Sequence, residues 1–292
     1  MKRRTFIGTT VAATLVAKTS WASPFPKMVS PIGVQLYTVR TAMKTDFEGT
    51  VAKVAAVGYK EVEFAGYFDK SPKDIRAILD KNGLTAPSCH VPYPTLEKSW
   101  PEALEAAHTI GHKLIVNPWI EASQRDSADG WKRAAELFNK CGESAKKAGI
   151  QFAYHNHTFE FQPSKGLDGK LPFDYLLKEC DKNNVKMELD LCWISVAGKD
   201  PITYFNANPG RFPAVHVKDI KQLPSPEDAP TAGPDKNMGF LTEVGSGIIP
   251  WKQLFASAGK AGIQHYFVEH DNPSDPFASI KTSYDFLSKL DY

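Results

Sequence analysis

The sequence predicts an α/β protein folded as a single closed (β/α)8 TIM barrel, and three observations lead there. Short apolar runs alternate with helical patterns from Pro31 onward, the runs number eight, and the later ones end on His155, Asp190, His216 and Glu269. Polar side chains at the carboxyl ends of successive parallel strands are where such a barrel places its chemistry. The length of 292 residues, 42% of them hydrophobic, suits one barrel of about 250 residues with little chain left over.

The elements follow in order. Strand-like runs fall at 32–37, 61–64, 84–90, 114–117, 151–157, 185–190, 212–218 and 266–269. Between them, helical periodicity covers 47–57, 72–81, 96–110 and 131–148. Glycines such as Gly58 and Gly111 close helices where a C-terminal cap wants positive φ. Pro72, Pro101, Pro172, Pro201 and Pro250 sit where a first helical turn tolerates proline.

The first residues belong to a different kind of segment. Lys2, Arg3 and Arg4 precede a small-apolar stretch that runs to Ala17, and Ser20-Trp21-Ala22 offers small residues around a cleavage point. Residues 1–22 therefore read as a twin-arginine signal peptide, with the barrel at 31–292 and the mature protein in the periplasm or otherwise exported. Without those residues the formal charge falls from +2 to about −2, which leaves no basic excess for a nucleic-acid partner. No later run is long or apolar enough to span a bilayer. Cys89, Cys141, Cys180 and Cys192 lack a C-x-x-C spacing and read as buried thiols. A homo-oligomer is compatible with this composition.

Alternation along each strand sorts the side chains by face. The rule turns His155, His157, Glu188, Asp190, His216, Lys218 and Glu269 inward, along with Gln35, Glu63, His90 and Asn117 from the earlier strands. A single inward histidine is more often a hydrogen-bonded core residue than a ligand. Asp190, His216 and Glu269 on neighbouring strands form a donor set suited to a divalent ion. Gln35, Glu63, His90, Asn117, His155 and His157 are candidates for substrate contact, and for Gln35 and Asn117 a structural hydrogen bond is an equal alternative. Trp119, Trp193 and Tyr93 read either as an aromatic wall for a sugar ring or as rim packing.

Several segments in this order carry a family resemblance. They are I-G-V-Q-L-Y-T-V-R at 32–40, G-Y-K-E-V-E-F at 58–64, S-C-H-V-P-Y at 88–93 and Y-H-N-H-T-F-E-F at 154–161, then E-L-D-L-C-W at 188–193, A-V-H-V-K-D at 214–219 and V-G-S-G-I-I-P-W at 244–251. Together they resemble the sugar isomerase/epimerase family with a xylose isomerase-like TIM barrel. The resemblance implies one divalent ion (Mn, Mg, Zn or Co) held by a Glu, Asp, His, Glu set, of which Asp190, His216 and Glu269 match the last three. The first glutamate is absent: His155 stands in its place. Either His155 coordinates or Glu160 reaches back from the following loop, and Glu160 is the preferred fourth ligand.

A metal that chelates a ketone and its neighbouring hydroxyl acidifies the α-hydrogen and stabilises an enediolate. Glu269 is the expected base, with Glu160 and Lys218 as further catalytic candidates. Return of the proton gives an isomerase or epimerase acting on an unphosphorylated keto sugar or related polyol, the leading expectation. Expulsion of a β-substituent gives the alternative, a lyase or hydratase on 3-keto sugars, glycosides or inososes. A noncatalytic sugar-binding barrel is the third reading. Gly245-Ser246-Gly247 offers backbone N–H groups to an anion, and the proline-rich stretch 221–247 is an expected lid over the site. Replacing Arg3 and Arg4 by lysine is expected to leave precursor in the cytoplasm, as cell fractionation would read.

Overall fold

The computed structural model describes residues 28–225 and 238–292, so the expected signal peptide and residues 226–237 of the proline-rich stretch lie outside the described residues. The barrel strands are β1 (Ile32–Gln35), β2 (Glu61–Phe64), β3 (Thr85–His90), β4 (Leu114–Asn117), β5 (Gln151–His155), β6 (Val185–Asp190) and β7 (Ala214–Val217). A two-residue ribbon follows, β8 (Asp219–Ile220) antiparallel to β9 (Leu241–Thr242), and β10 (His265–Val268) completes the wall. The closed order is β1-β10-β7-β6-β5-β4-β3-β2, with parallel pairing throughout. No helix among the described residues is long and apolar enough to cross a membrane.

Helices Phe47–Val57 and Pro72–Lys81 match the periodicity, the second with Ser71 accepting the Asp74 N–H at its start. The 96–110 pattern is two helices, Tyr93–Lys98 and Trp100–Ile110, because Ser99 leaves helical geometry at φ −143° and Pro101 opens the second. Pro250 stands one place outside its helix, at the N-cap of Trp251–Ala261. All four cysteines are free, buried thiols.

Two apolar layers hold the architecture. The larger lies between the strands and the surrounding helices, with Phe64, Phe138, Phe152, Tyr154 and Trp131 among its fully buried side chains. The smaller is a plug on the barrel axis made by Leu114, Val116, Ala153, Ala214 and Phe267. Gly33 makes room for it: a Cβ there would stand 2.6 Å from Phe267 Cδ1. The plug closes the axis, so inward polar residues further along the strands gather at the C-terminal mouth.

The plug also fixes the phase of β4. Leu114 and Val116 turn inward, so Asn117 faces away from the axis and donates its amide N–H to Val91 O at 3.0 Å. The expected inward, substrate-facing Asn117 is thereby corrected to a structural hydrogen bond. Phe267→Ala should empty the plug and cost about 3–5 kcal/mol of unfolding free energy, measurable by denaturant titration.

Candidate active site

Strands β6, β7 and β10 bring the expected donors together. Asp190 ends β6 and caps the following turn, its Oδ1 accepting the N–H groups of Cys192 and Trp193 at 2.9 and 2.8 Å. That leaves Oδ2 buried and without a hydrogen bond, pointing the other way from the cap. His216 Nδ1 lies 3.9 Å from this oxygen and 2.7 Å from Glu269 Oε2. One donor atom from each of Asp190, His216 and Glu269 falls within 4.8 Å of the others.

Lys218 closes this layer. Its Nζ stands 3.1 Å from Asp190 Oδ2, 2.8 Å from Glu269 Oε2 and 3.0 Å from Asp271 Oδ2, over the ring of Trp193. Burial disfavours a charged lysine, but Asp190, Asp271 and Glu269 outweigh it and hold the ammonium well above its ordinary pKa. Lys218 is thus tied to three carboxylates, an arrangement that favours the ammonium over the neutral amine of a lysine base. Burial would likewise raise Glu269, yet Lys218 and His216 keep it well below the usual carboxylate range.

A second layer lies deeper in the barrel, around Glu63 and Glu188. Glu188 Oε2 receives three imidazoles: His90 Nε2 at 2.8 Å, His155 Nδ1 at 3.1 Å and His216 Nε2 at 3.2 Å. Glu63 Oε2 receives His216 Nε2 at 2.7 Å and Gln35 Nε2 at 2.7 Å, while Ser88 donates to its other oxygen. Burial opposes charge on His90, but Glu63 and Glu188 outweigh it and push its pKa up to about 9. His157, half-buried and with no carboxylate at bonding distance of its ring among the described residues, is pushed down by desolvation and by Lys218.

The two layers share their histidines. His216 turns Nδ1 to Asp190 and Glu269 and Nε2 to the deep carboxylates. His155 turns Nδ1 to Glu188 and leaves Nε2 facing Asp190 Oδ2 at 3.8 Å. A ligating histidine characteristically gives its second nitrogen to a carboxylate, which fixes tautomer and ring orientation. The donors therefore fit a divalent ion: Asp190 Oδ2, His216 Nδ1, Glu269 Oε2 and His155 Nε2 would hold it, since among the described residues Asp190 Oδ2 accepts no hydrogen bond and faces only the Lys218 ammonium at 3.1 Å and the two imidazoles.

Glu160 does not join them. Its Oε1 accepts the Tyr154 hydroxyl at 2.6 Å and its Oε2 the His157 N–H at 2.8 Å, in the apolar layer outside the barrel, and burial pushes its pKa up to about 7. The reading of Glu160 as fourth ligand and catalytic group is corrected accordingly, since Tyr154 faces the helices and carries Glu160 with it.

A cavity of about 250 Å³ opens above these residues. His90, His155, His157, Lys218 and Glu269 line it, as the sequence led us to expect, joined by Asp271 and a rim of Tyr37, Pro92, Pro118 and Trp119. Gln35 and Glu63 are fully buried beneath it and spend their polar atoms on each other, His216, Ser88 and the Tyr37 N–H, so neither meets a substrate. Of the three aromatics left open, Trp119 alone lines the cavity; Tyr93 packs on Phe138 and Trp193 lies under Lys218. Asp271 escaped the sequence reading because it follows the apolar run, although it shares the parity of Glu269. Glu188 was legible as inward but carried no role.

The expected anion cradle is also redirected. Gly245 and Gly247 donate their N–H groups to Asp219 Oδ2 at 2.9 and 3.3 Å, leaving none for a phosphate.

Comparison with known proteins agrees with this architecture. The family model described as xylose isomerase-like TIM barrel matches residues 51–290. The chain belongs to that family. It is 26% identical over 247 residues to an inosose dehydratase of Lacticaseibacillus casei, covering 76% of this chain and 80% of that protein. A second inosose dehydratase, from Geobacillus thermodenitrificans, is 23% identical over 250 residues, covering 76% of this chain and 80% of its own length. Among solved structures, a sugar phosphate isomerase/epimerase of Parabacteroides distasonis is 25% identical with a TM-score of 0.71, covering 94% of this chain and 98% of its own.

Metal titration separates the residues of this xylose isomerase-like site. Glu160→Gln should bind a divalent ion as the wild type does, whereas Glu188→Gln, which loosens the shared histidines, should weaken binding by about 10- to 100-fold.

Proposed function

We propose that this protein is a divalent-metal-dependent lyase that removes water from a cyclic polyol or sugar bearing a ketone. One observation carries the choice over an isomerase or epimerase. The two-carboxylate proton transfer expected of an epimerase in this family needs one carboxylate on each side of the reacting carbon, and here the second is missing: His155 occupies its strand position and Glu160 is turned into the apolar layer. The carboxylates that reach the cavity, Glu269 and Asp271, both follow β10, while the wall of β3 and β5 presents imidazoles. A base on one side and nitrogen donors on the other match an elimination. The sequence similarity to inosose dehydratases supports the same reading.

The chemistry divides among the residues as follows. When bound, a divalent ion would polarise a substrate carbonyl and stabilise the charge that develops on its oxygen. Glu269, ionised and held by Lys218 at 2.8 Å, takes the proton from the carbon beside that carbonyl. Lys218 keeps Asp190, Glu269 and Asp271 in place and offsets part of their charge. Tyr37, Pro92, Pro118 and Trp119 form an apolar rim that accepts the face of a ring and restricts water. A volume of about 250 Å³ suits a compact polyol better than a drug-sized ligand.

The test is incubation of the metal-loaded protein with an inosose or a 3-keto sugar in deuterated water, followed by mass spectrometry and NMR. Loss of one water, with solvent deuterium entering at the α-carbon of recovered substrate, is expected. Inversion at that carbon with no loss of water would return the protein to the epimerases. Asp190→Ala should lose both the ion and the activity.

A further inference from the structure

We propose that His90 is the catalytic acid of this site, delivering a proton to the hydroxyl that leaves; the assignment rests on the lyase reading above. Three structural facts converge on this residue. His90 ends β3, and in the strand order of the barrel β3 lies across the mouth from β7, which carries His216 and leads into Lys218. Its Nε2 is fixed between two buried carboxylates, 2.8 Å from Glu188 Oε2 and 3.2 Å from Glu63 Oε2. Its ring lines the cavity, its side chain is 11% exposed, and among the described residues its Nδ1 has no protein partner.

That arrangement is a histidine with one nitrogen anchored by carboxylates and the other presented to a substrate, the logic of a proton-transferring imidazole. The other histidines are placed differently. His155 and His216 each use one nitrogen on the deep carboxylates and the other on the metal position, which leaves no free edge. His157 has a buried, unpartnered Nδ1 and, among the described residues, no carboxylate at bonding distance of its ring to hold a second proton.

The step balances without a further reactant. Glu269 takes the α-proton, and the electrons of that C–H bond become the new carbon–carbon double bond. The bond from the neighbouring carbon to its hydroxyl breaks, and the oxygen leaves as water with the proton from His90 Nδ1. His90 keeps its Nε2–H toward Glu188 and Glu63. Solvent then carries the proton from Glu269 back to His90 once the product has gone.

The experiment separates acid catalysis from support. His90→Gln, which keeps an amide near the Nε2 position, is compared with wild type in three rates. These are α-deuterium exchange, loss of water from the ketone substrate, and loss of fluoride from an analogue with fluorine in place of the departing hydroxyl. Fluoride leaves without a proton. Loss of water should fall by about 10²- to 10⁴-fold, while exchange and fluoride loss fall less than about tenfold. Metal content is measured alongside, and His90→Asn serves if the glutamine variant does not fold. Equal losses in all three rates would overturn the assignment and reduce His90 to a support for its neighbours. A wild type that inverts the α-carbon and releases no water from any substrate would overturn the lyase reading, and this assignment with it.

Discussion

The site is governed by a surplus of buried negative charge. Glu63, Glu188, Asp190, Glu269 and Asp271 are all buried at one end of the barrel, and Lys218 is the one buried ammonium among them. Carboxylates removed from water remain ionised only where cations or hydrogen bonds replace the lost solvation. The molecule answers at two depths. Near the mouth, Lys218 and the position for a divalent ion face Asp190 and Glu269. Deeper down, His90, His155 and His216 bring N–H groups to Glu188 and Glu63. Each imidazole that serves both depths has its orientation fixed from below, so the geometry at the mouth is set by residues that a substrate never touches.

Much of this was legible because a barrel strand allows few options. Alternation placed Glu188, Asp190, His216, Lys218 and Glu269 on the axis, and the structure has them there. Alternation failed at Asn117 for a definite reason. The run Leu114–Asn117 is apolar in three consecutive positions, so period-two reasoning had no polar marker to set its phase, and the axial plug with Val116 chose it instead. Glu160 failed on a different ground. It lies beyond the strand in a short 3-10 turn, where strand parity says nothing, and the hydroxyl of outward-facing Tyr154 decided its direction.

The contrast between Gln35 and Trp119 makes a related point. Both were open readings between contact and support. Gln35 is inward but too deep, and the Glu63 carboxylate beside it uses its amide. Trp119 follows the end of β4 in a loop, where its ring meets His157 edge-on at 4.9 Å and reaches the cavity rim. Height along the barrel axis separates the two, and height depends on strand stagger, which a single sequence does not display.

Asp219 points to how such a site can change over evolutionary time. Its carboxylate accepts N–H groups from Ile220, Gly245, Gly247 and Ile249 and from the Trp251 indole, at 2.8 to 3.3 Å. A Cβ at Gly247 would fall 2.2 Å from Asp219 Oδ1, so the cradle admits no side chain at that place. With the β8–β9 ribbon, this carboxylate rivets both ends of the intervening stretch to the segment that directly follows Lys218. Insertions, deletions or wholesale replacement between the rivets can therefore be sampled without shifting the chemical groups below. The frame at the barrel mouth thus depends on the two anchored ends and not on the residues that join them.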